Sequence, residues 1–178
     1  MIISVDKARE LVEIPENWTD EKIRMKLLAV EQTIRAYTNN NFQNRGCRIE
    51  NACIRAGVFL SKALIPFEVG DTVQVSESRY NSGLFVVSEA DDVAFTVEEA
   101  TRDEDAVLVT KVEYPADVVA CCVNLMEWEA NNRSKVGVQS ETLSRHSVTY
   151  FNQDAANQVM GYPASLLGCL KPYRKARC

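Results

Sequence analysis

One histidine, His146, carries the only imidazole that this chain could use in nucleophilic catalysis. In a Cys–His or Ser–His pair, the imidazole removes the proton from the thiol or hydroxyl and makes it reactive. His146 lies between Arg145 and Ser147 in an alternating segment, and the sequence has no Gly-x-Ser-x-Gly elbow and no cysteine-protease signature. We therefore expect an exposed polar side chain here, no catalytic residues and a protein that is not an enzyme.

Carboxylates and cysteines are the other groups that could bind metal or transfer protons. The acids cluster at positions 91–92, 98–99 and 103–105, but their order lacks the alternating pattern and the glycine of a calcium loop. The six cysteines include the adjacent pair at 121–122 and show neither a C-x-x-C pair nor the spacing of a zinc module. Walker and dinucleotide-binding glycine patterns are also absent. The sequence thus predicts no metal site and no cofactor, and thiols that behave as small buried hydrophobes.

The net charge of -5 is distributed unevenly along the chain. Between Pro66 and Asp105 there are eleven acidic and two basic residues, a balance of -9, whereas the residues from Ala130 to Cys178 carry a balance of +5. Opposite charge at two places on one molecule favours head-to-tail contacts or contacts with a partner of opposite sign. The same distribution argues against the acidic stretch lying on a nucleic-acid backbone.

Length and hydropathy bound the architecture and the compartment. The 178 residues, 46% apolar and 25% charged, suffice for one globular domain or for one domain that carries a small insertion. No run of about 18 apolar residues is present to cross a bilayer. The segment Met1–Asp6 reaches a charge at once without a basic n-region. We expect a protein of cytoplasmic origin without a membrane partner.

Two long helices are predicted from their apolar periodicity. Ile23, Leu27, Val30 and Ile34 recur at spacings of four, three and four, which predicts a helix over 20–38. Its far side, which includes Glu31, is expected to face solvent. A second helix is predicted from Ala116 to Asn131, and a short first helix from Ser4 to Leu11 with Ser4 as its N-cap. The two long helices are expected to pack together.

The period changes between Arg48 and Glu113, where short apolar runs are separated by turn signals. Five or six short strands in this stretch predict a small curled antiparallel sheet or barrel. The expected fold class is α+β, with a small helical connector core at 1–43 and 114–139. An inserted antiparallel β module is expected at 44–113 and a C-terminal arm at 140–178.

The arm combines an alternating segment, Ser147 to Phe151, with a Gly-Tyr-Pro corner and a short apolar helix over Pro163–Tyr173. The alternating segment has apolar side chains on both faces, which is typical of strand addition to another chain. Aromatic, Met and Arg residues are enriched at interface centres, so the arm is expected to contact a partner; the alternative is an arm folded back on its own core. The candidate interface residues are Tyr150, Phe151, Met160, Tyr162, Pro163, Leu167, Leu170, Lys171, Tyr173 and Arg174.

Several motifs together carry a family resemblance that covers nearly the whole chain. They are the helix opened by Asp20-Glu21-Lys22, the Asn-rich stop, Val69-Gly70-Asp71-Thr72-Val73, Tyr-Pro-Ala-Asp-Val, Ser-Glu-Thr-Leu, Ser-Val-Thr-Tyr, Met-Gly-Tyr-Pro-Ala-Ser-Leu-Leu and Leu-Lys-Pro-Tyr-Arg. The most specific part runs from Ser140 to Arg174. In this order the sequence resembles the head-tail connector, or adaptor, proteins of tailed bacteriophages and related prophages.

The resemblance implies a structural protein of the virion neck that is made in the cytoplasm of the bacterial host. It implies a closed ring of about twelve copies with heterologous contacts beneath the portal protein of the capsid. The arm would reach the portal, and the other face of the ring would receive the stopper and tail-completion proteins. DNA would pass through the channel without sequence-specific binding.

A nucleic-acid-binding accessory protein is the alternative function, because small β barrels often bind single strands. Tyr80 and Phe85 could stack on bases, although aromatics on a short-stranded sheet more often fill its core. The -9 balance between Pro66 and Asp105 opposes this alternative. Basic residues near the C-terminus could instead touch the phosphates of DNA that passes through a ring.

Overall fold

The protein is described by a computed structural model, which covers residues 1–133, 140–143, 146–149 and 158–176. The described chain forms two compact units, a barrel unit of Met1 and Asn41–Tyr114 and a helical unit of Ile2–Asn40 and Pro115–Cys178. The α-helices are α1 (Val5–Leu11), α2 (Asp20–Thr38) and α3 (Ala116–Asn131). The barrel strands are β1 (Gln43–Arg55), β2 (Val58–Leu60), β3 (Thr72–Ser76), β4 (Gly83–Ala90), β5 (Ala94–Val97) and β6 (Glu104–Val112).

Side-chain caps and asparagine define the ends of the helices. The Ser4 hydroxyl accepts from the backbone N–H of Lys7 and begins α1, and the Thr19 hydroxyl accepts from the N–H of Lys22 and begins α2. Helix α2 ends where Asn39 adopts the left-handed conformation with φ 47°, which asparagine tolerates better than most residues. The predicted bounds of α2 and α3 and the predicted Ser4 cap are confirmed.

The six barrel strands form a closed antiparallel barrel in the order β1-β2-β5-β4-β3-β6. The long strand β1 pairs with β2 through its second half and with β6 along its length, with register shifts that bend it. Strand β3 continues the barrel from β6 to β4, and β5 joins β4 to β2. Because the last strand pairs with the first, the six-stranded barrel has no open edge.

The barrel encloses its own hydrophobic core. The rings of Phe59 and Phe95 stack at 4.6 Å between centroids, and Phe67 meets Phe95 edge-on at 5.5 Å. The remaining core residues come from β1, β3, β4 and β6: Ile49, Ala52, Ile54, Val73, Val75, Val87, Val107 and Val109. Phe85, which could have stacked on a base, packs against this core.

The predicted fold class is wrong. The sequence indicated a helical connector core with a small inserted β module, but the structure contains a closed six-stranded antiparallel barrel, and strands make up about 30% of the chain. Only three substantial helices are found in the described part. The apolar runs allowed a curled sheet or a barrel in this stretch, but the two long helices were taken as the core of the protein and the strands as a small insertion. Closure depends on the pairing of β1 with β6, about sixty residues apart in sequence, which a local pattern does not reveal.

The helical unit is completed by short elements near the C-terminus. Strand β7 (Ser140–Leu143) pairs with β8 (His146–Thr149), and β9 (Gln158–Val159) pairs with β10 (Tyr162–Pro163). Residues 147–149 of the predicted added strand therefore pair with β7 of the same chain. A 3-10 helix covers Gly168–Tyr173, a shorter span than the helix predicted there. Among the described helices, none is long and apolar enough to cross a membrane.

Candidate interaction surface

The structure buries four of the predicted interface residues within the helical unit. Tyr162 is 4% exposed, Leu167 and Leu170 are fully buried, and Pro163 is buried as well. The 3-10 helix packs against both α2 and α3. These side chains anchor the C-terminal segment to its own helices, the arrangement that sequence reasoning kept as its alternative.

The exposed predicted residues form the outer side of the same segment. Met160 is 51% exposed, and Lys171 and Arg174 are exposed. Tyr173 is half-buried, and its hydroxyl donates to the carboxylate of Asp117 at 2.7 Å. The last two predicted residues, Tyr150 and Phe151, lie outside the described part of the chain.

The end of the described chain is tied to the C-terminal end of α2. The N–H of Lys175 donates to the carbonyl of Thr38 at 2.8 Å, and the Asn39 side chain donates to the carbonyl of Ala176 at 2.9 Å. The Arg174 guanidinium lies 5.2 Å from the ring centroid of Tyr37. These contacts attach the basic end of the segment to the end of α2. Lys171 and Arg174 therefore lie on a segment that is bound to the helical unit.

Met160 lies at the tip of the hairpin formed by β9 and β10. It has φ 54° and the following Gly161 has φ 80°, so both central residues of the turn have positive φ. Such turns favour Asn-Gly, because a larger side chain is strained in the left-handed region. Arg133 donates to the carbonyl of Gly161 at 3.4 Å. A large apolar side chain is thus held exposed at a position where the backbone disfavours it, a combination found more often at functional sites.

A buried carboxylate, Glu129 on α3, organises the surroundings of this hairpin. Its Oε1 accepts from Arg133 Nε at 2.9 Å and from the Tyr162 hydroxyl at 2.8 Å, and Arg133 Nη2 also donates to it. Its Oε2 accepts from Lys26 Nζ on α2 at 2.7 Å. One glutamate therefore joins α2, α3 and β10.

Charge and burial act in opposite directions on the pKa of Glu129. Burial alone raises the pKa, but the hydrogen bonds from Arg133, Lys26 and Tyr162 outweigh it and hold the pKa below its ordinary value. Burial, together with the hydrogen bond to Glu129, raises the pKa of the Tyr162 hydroxyl. Glu129 is therefore ionised and Tyr162 neutral at neutral pH, which keeps this network intact.

A cleft of about 390 Å³ opens beside Glu129 in the helical unit. We call it the cationic cleft and define it by Trp18, Lys22, Lys26 and Arg133 around Glu129. The ammonium of Lys22 lies 4.6 Å from the Trp18 ring centroid, and that of Lys26 lies at 5.9 Å. Three cations against one carboxylate leave the cleft positively charged.

Sequence reasoning missed this cleft and both buried glutamates. Glu31 on α2 is fully buried, so the prediction that it faces solvent is wrong. The signal was present in the spacing, because Glu31 follows Leu27 by four residues and Glu129 follows Met126 by three. Each glutamate continues the apolar stripe of its helix. Both were missed because acidic side chains were expected to face solvent.

The described residues offer little to a catalytic or metal-binding interpretation. They contain no group of three His, Cys, Asp or Glu side chains that could hold a metal ion. Burial raises the pKa of the Cys122 thiol to about 12, and burial also raises that of Cys121. Thiols in this state are poor nucleophiles.

A scan against protein-family models finds no matching family, and a search of the curated proteins finds no matching protein.

Proposed function

We propose that this protein is a head-tail adaptor of a tailed bacteriophage or prophage. It forms a ring beneath the portal, links the capsid to the stopper and tail, and leaves a channel for DNA. The proposal starts from the motifs between Ser140 and Arg174 that resemble this family. In this proposal the protein is a structural protein of the virion and is located in the neck.

The observation that carries the proposal is the way in which the C-terminal segment divides its side chains. Tyr162, Leu167 and Leu170 anchor the segment inside the helical unit, while Met160 and the basic Lys171 and Arg174 remain exposed. An anchored segment loses little conformational entropy when its exposed side binds a partner. This supports a preformed portal contact made by Met160, Lys171 and Arg174.

Mixing the protein with portal rings from the same viral genome tests the proposal. We expect mass photometry to show a ring-sized complex, because each portal subunit offers an equivalent site. Met160→Asn should weaken binding at least about tenfold, the effect of losing one central apolar contact. The same change should leave the melting temperature unchanged or raise it, because asparagine tolerates positive φ.

Val69→Asn is the matched control, since Val69 is an apolar residue of the barrel unit that is 66% exposed, against 51% for Met160. It should leave portal binding unchanged. A protein that stays monomeric and never binds portal would contradict the proposed function. Equal losses from Met160→Asn and Val69→Asn would contradict the assigned contact surface.

A further inference from the structure

The barrel unit has an exposed patch whose chemistry complements the cationic cleft. We call it the barrel tip and define it by Leu60, Leu64, Glu89, Asp92 and Val93. Leu64 is 75% exposed, Val93 55% and Leu60 42%. Two backbone hydrogen bonds join the segment that contains both leucines to Asp92 and Val93, from the N–H of Ser61 to the carbonyl of Val93 and from that of Ile65 to the carbonyl of Asp92. Glu89 lies near the end of β4, three residues before Asp92. Exposed apolar groups that cluster in this way are typical of an interaction site.

The acids of the barrel tip differ from most other acids of the barrel unit. Asp103 accepts from the N–H of Ala56, Glu104 accepts from Ser78 and Asn81, and Asp105 pairs with Arg55. Each of these acids is therefore paired with a group of the barrel unit itself. Among the described residues, by contrast, the carboxylates of Glu89 and Asp92 have neither a hydrogen bond nor an ion pair, and both residues are exposed.

The cationic cleft offers the opposite combination. Lys22 is exposed and has no ion pair among the described residues, and its ammonium is held against the Trp18 ring. Met25, one turn along α2, is 64% exposed. The acids of the adjacent loop, Glu13 and Glu16, do not line the cleft. A bound partner would therefore meet free positive charge beside an apolar side chain.

We propose that the cationic cleft of one copy binds the barrel tip of a second copy. Asp92 and Glu89 would face Lys22 and the exposed side of Arg133, and Val93 would face Met25. The two surfaces differ, so the contact is heterologous and repeats from copy to copy. This inference rests on the proposed ring function and deepens it by naming the contact that joins neighbouring subunits.

Charge reversal and charge exchange test this contact in the full-length protein. Sedimentation velocity at low salt, from about 1 µM to about 1 mM, covers the range of weak protein–protein affinities. We expect concentration-dependent self-association of the natural protein. Lys22→Glu and Asp92→Lys should each weaken self-association at least about tenfold, because each sets like charges against one another.

Combining Lys22→Glu with Asp92→Lys should restore self-association to within about threefold of the natural protein, since the exchanged charges attract again. Arg45→Glu is the matched control, because Arg45 is exposed on the barrel outside the tip. It makes the same change in net charge and should have no effect. Circular dichroism of each variant should match the natural protein, because Lys22 and Asp92 are exposed.

Three outcomes of the self-association experiment would overturn the inference. They are a natural protein that stays monomeric over the whole range, a double variant no better than the single ones, and a loss from Arg45→Glu equal to that from Lys22→Glu. Binding of duplex DNA by the cleft without self-association would overturn it too. The portal experiment is independent, since portal binding without self-association refutes only the subunit contact. Self-association without portal binding refutes only the adaptor function.

Discussion

At the scale of single residues, Glu129 is the side chain on which the helical unit depends most. It is buried, it is ionised, and its three hydrogen-bonding partners come from α2, from Arg133 just beyond the end of α3 and from β10. A buried carboxylate is tolerable only when its oxygens are satisfied. Lys26 and Arg133 each reach this carboxylate from a partly exposed position. Glu129 thereby positions two of the three cations of the cationic cleft.

Replacing this carboxylate gives a stability prediction with a defined pH dependence. Glu129→Gln should lower the free energy of unfolding at pH 7 by about 2 kcal/mol, since hydrogen bonds to a charged group are lost. The folded-state pKa of Glu129 is depressed, so its contribution is complete above the ordinary value of about 4.3 and is lost as the pH falls through the folded value. Urea denaturation should therefore show a difference that is largest near neutral pH and shrinks below about pH 4.

Glu127→Gln is the control for this experiment, because Glu127 is exposed on the same helix. It should change stability by less than about 0.5 kcal/mol at any pH. A Glu129→Gln difference that stays constant between neutral and acid pH would mean that the ionised carboxylate is not what stabilises the unit.

At the scale of elements, the helices can be predicted from the local sequence more fully than the barrel can. Helices α2 and α3 were predictable because the signals for the start, the apolar period and the end of each helix lie within about twenty residues and agree with one another. The strands were predictable as separate runs. Their closure was not, because it depends on the pairing of β1 with β6 across the whole barrel unit. The same limit hid the cationic cleft, which combines Trp18 and Lys22 with Arg133, more than one hundred residues later.

The C-terminal segment was predicted as an arm, and its apolar residues were read as partner contacts. Leu167 and Leu170 are fully buried within the helical unit, so periodicity alone did not distinguish a core from an interface. A protein core and the centre of an interface are both rich in apolar side chains, and they differ in what covers those side chains. Removing residues 161–178 would therefore expose the helices, and such a deletion cannot separate portal binding from folding.

Leu170→Ala measures how firmly the 3-10 helix is anchored. We expect it to lower the free energy of unfolding by about 2 to 5 kcal/mol, because it leaves a cavity between this element and the long helices. Chemical denaturation followed by circular dichroism would give the value. Leu64→Ala, at a residue that is 75% exposed, should cost less than about 0.5 kcal/mol. If Leu170→Ala and Leu64→Ala lowered the free energy of unfolding by equally small amounts, the C-terminal segment would contribute little to the core.

At the scale of the whole molecule, the net negative charge lies in one of the two compact units. The barrel unit contains 13 acidic and 7 basic residues and closes on its own aromatic core. The helical unit contains 12 acidic and 13 basic residues, and it carries the cationic cleft and the basic C-terminal segment. An acidic barrel unit and a cationic cleft on the helical unit suit repeated heterologous contacts better than they suit a solitary monomer. The separation also suggests that each unit can fold without the other.

The chain enters and leaves the barrel at neighbouring points, which makes that independence testable. Gln43 pairs directly with Val112, and the N–H of Glu113 donates to the carbonyl of Phe42 at 2.9 Å. Antiparallel partners lie only about 5.5 Å apart, so a short Gly/Ser linker can replace residues 41–114. We expect the shortened protein to keep the circular dichroism of α2 and α3 and to unfold cooperatively, because those helices retain their own buried contacts.

The shortened protein should also lose self-association, since the barrel tip is gone, while portal binding through Met160, Lys171 and Arg174 persists. Loss of all cooperative unfolding would show that the two units depend on each other for folding.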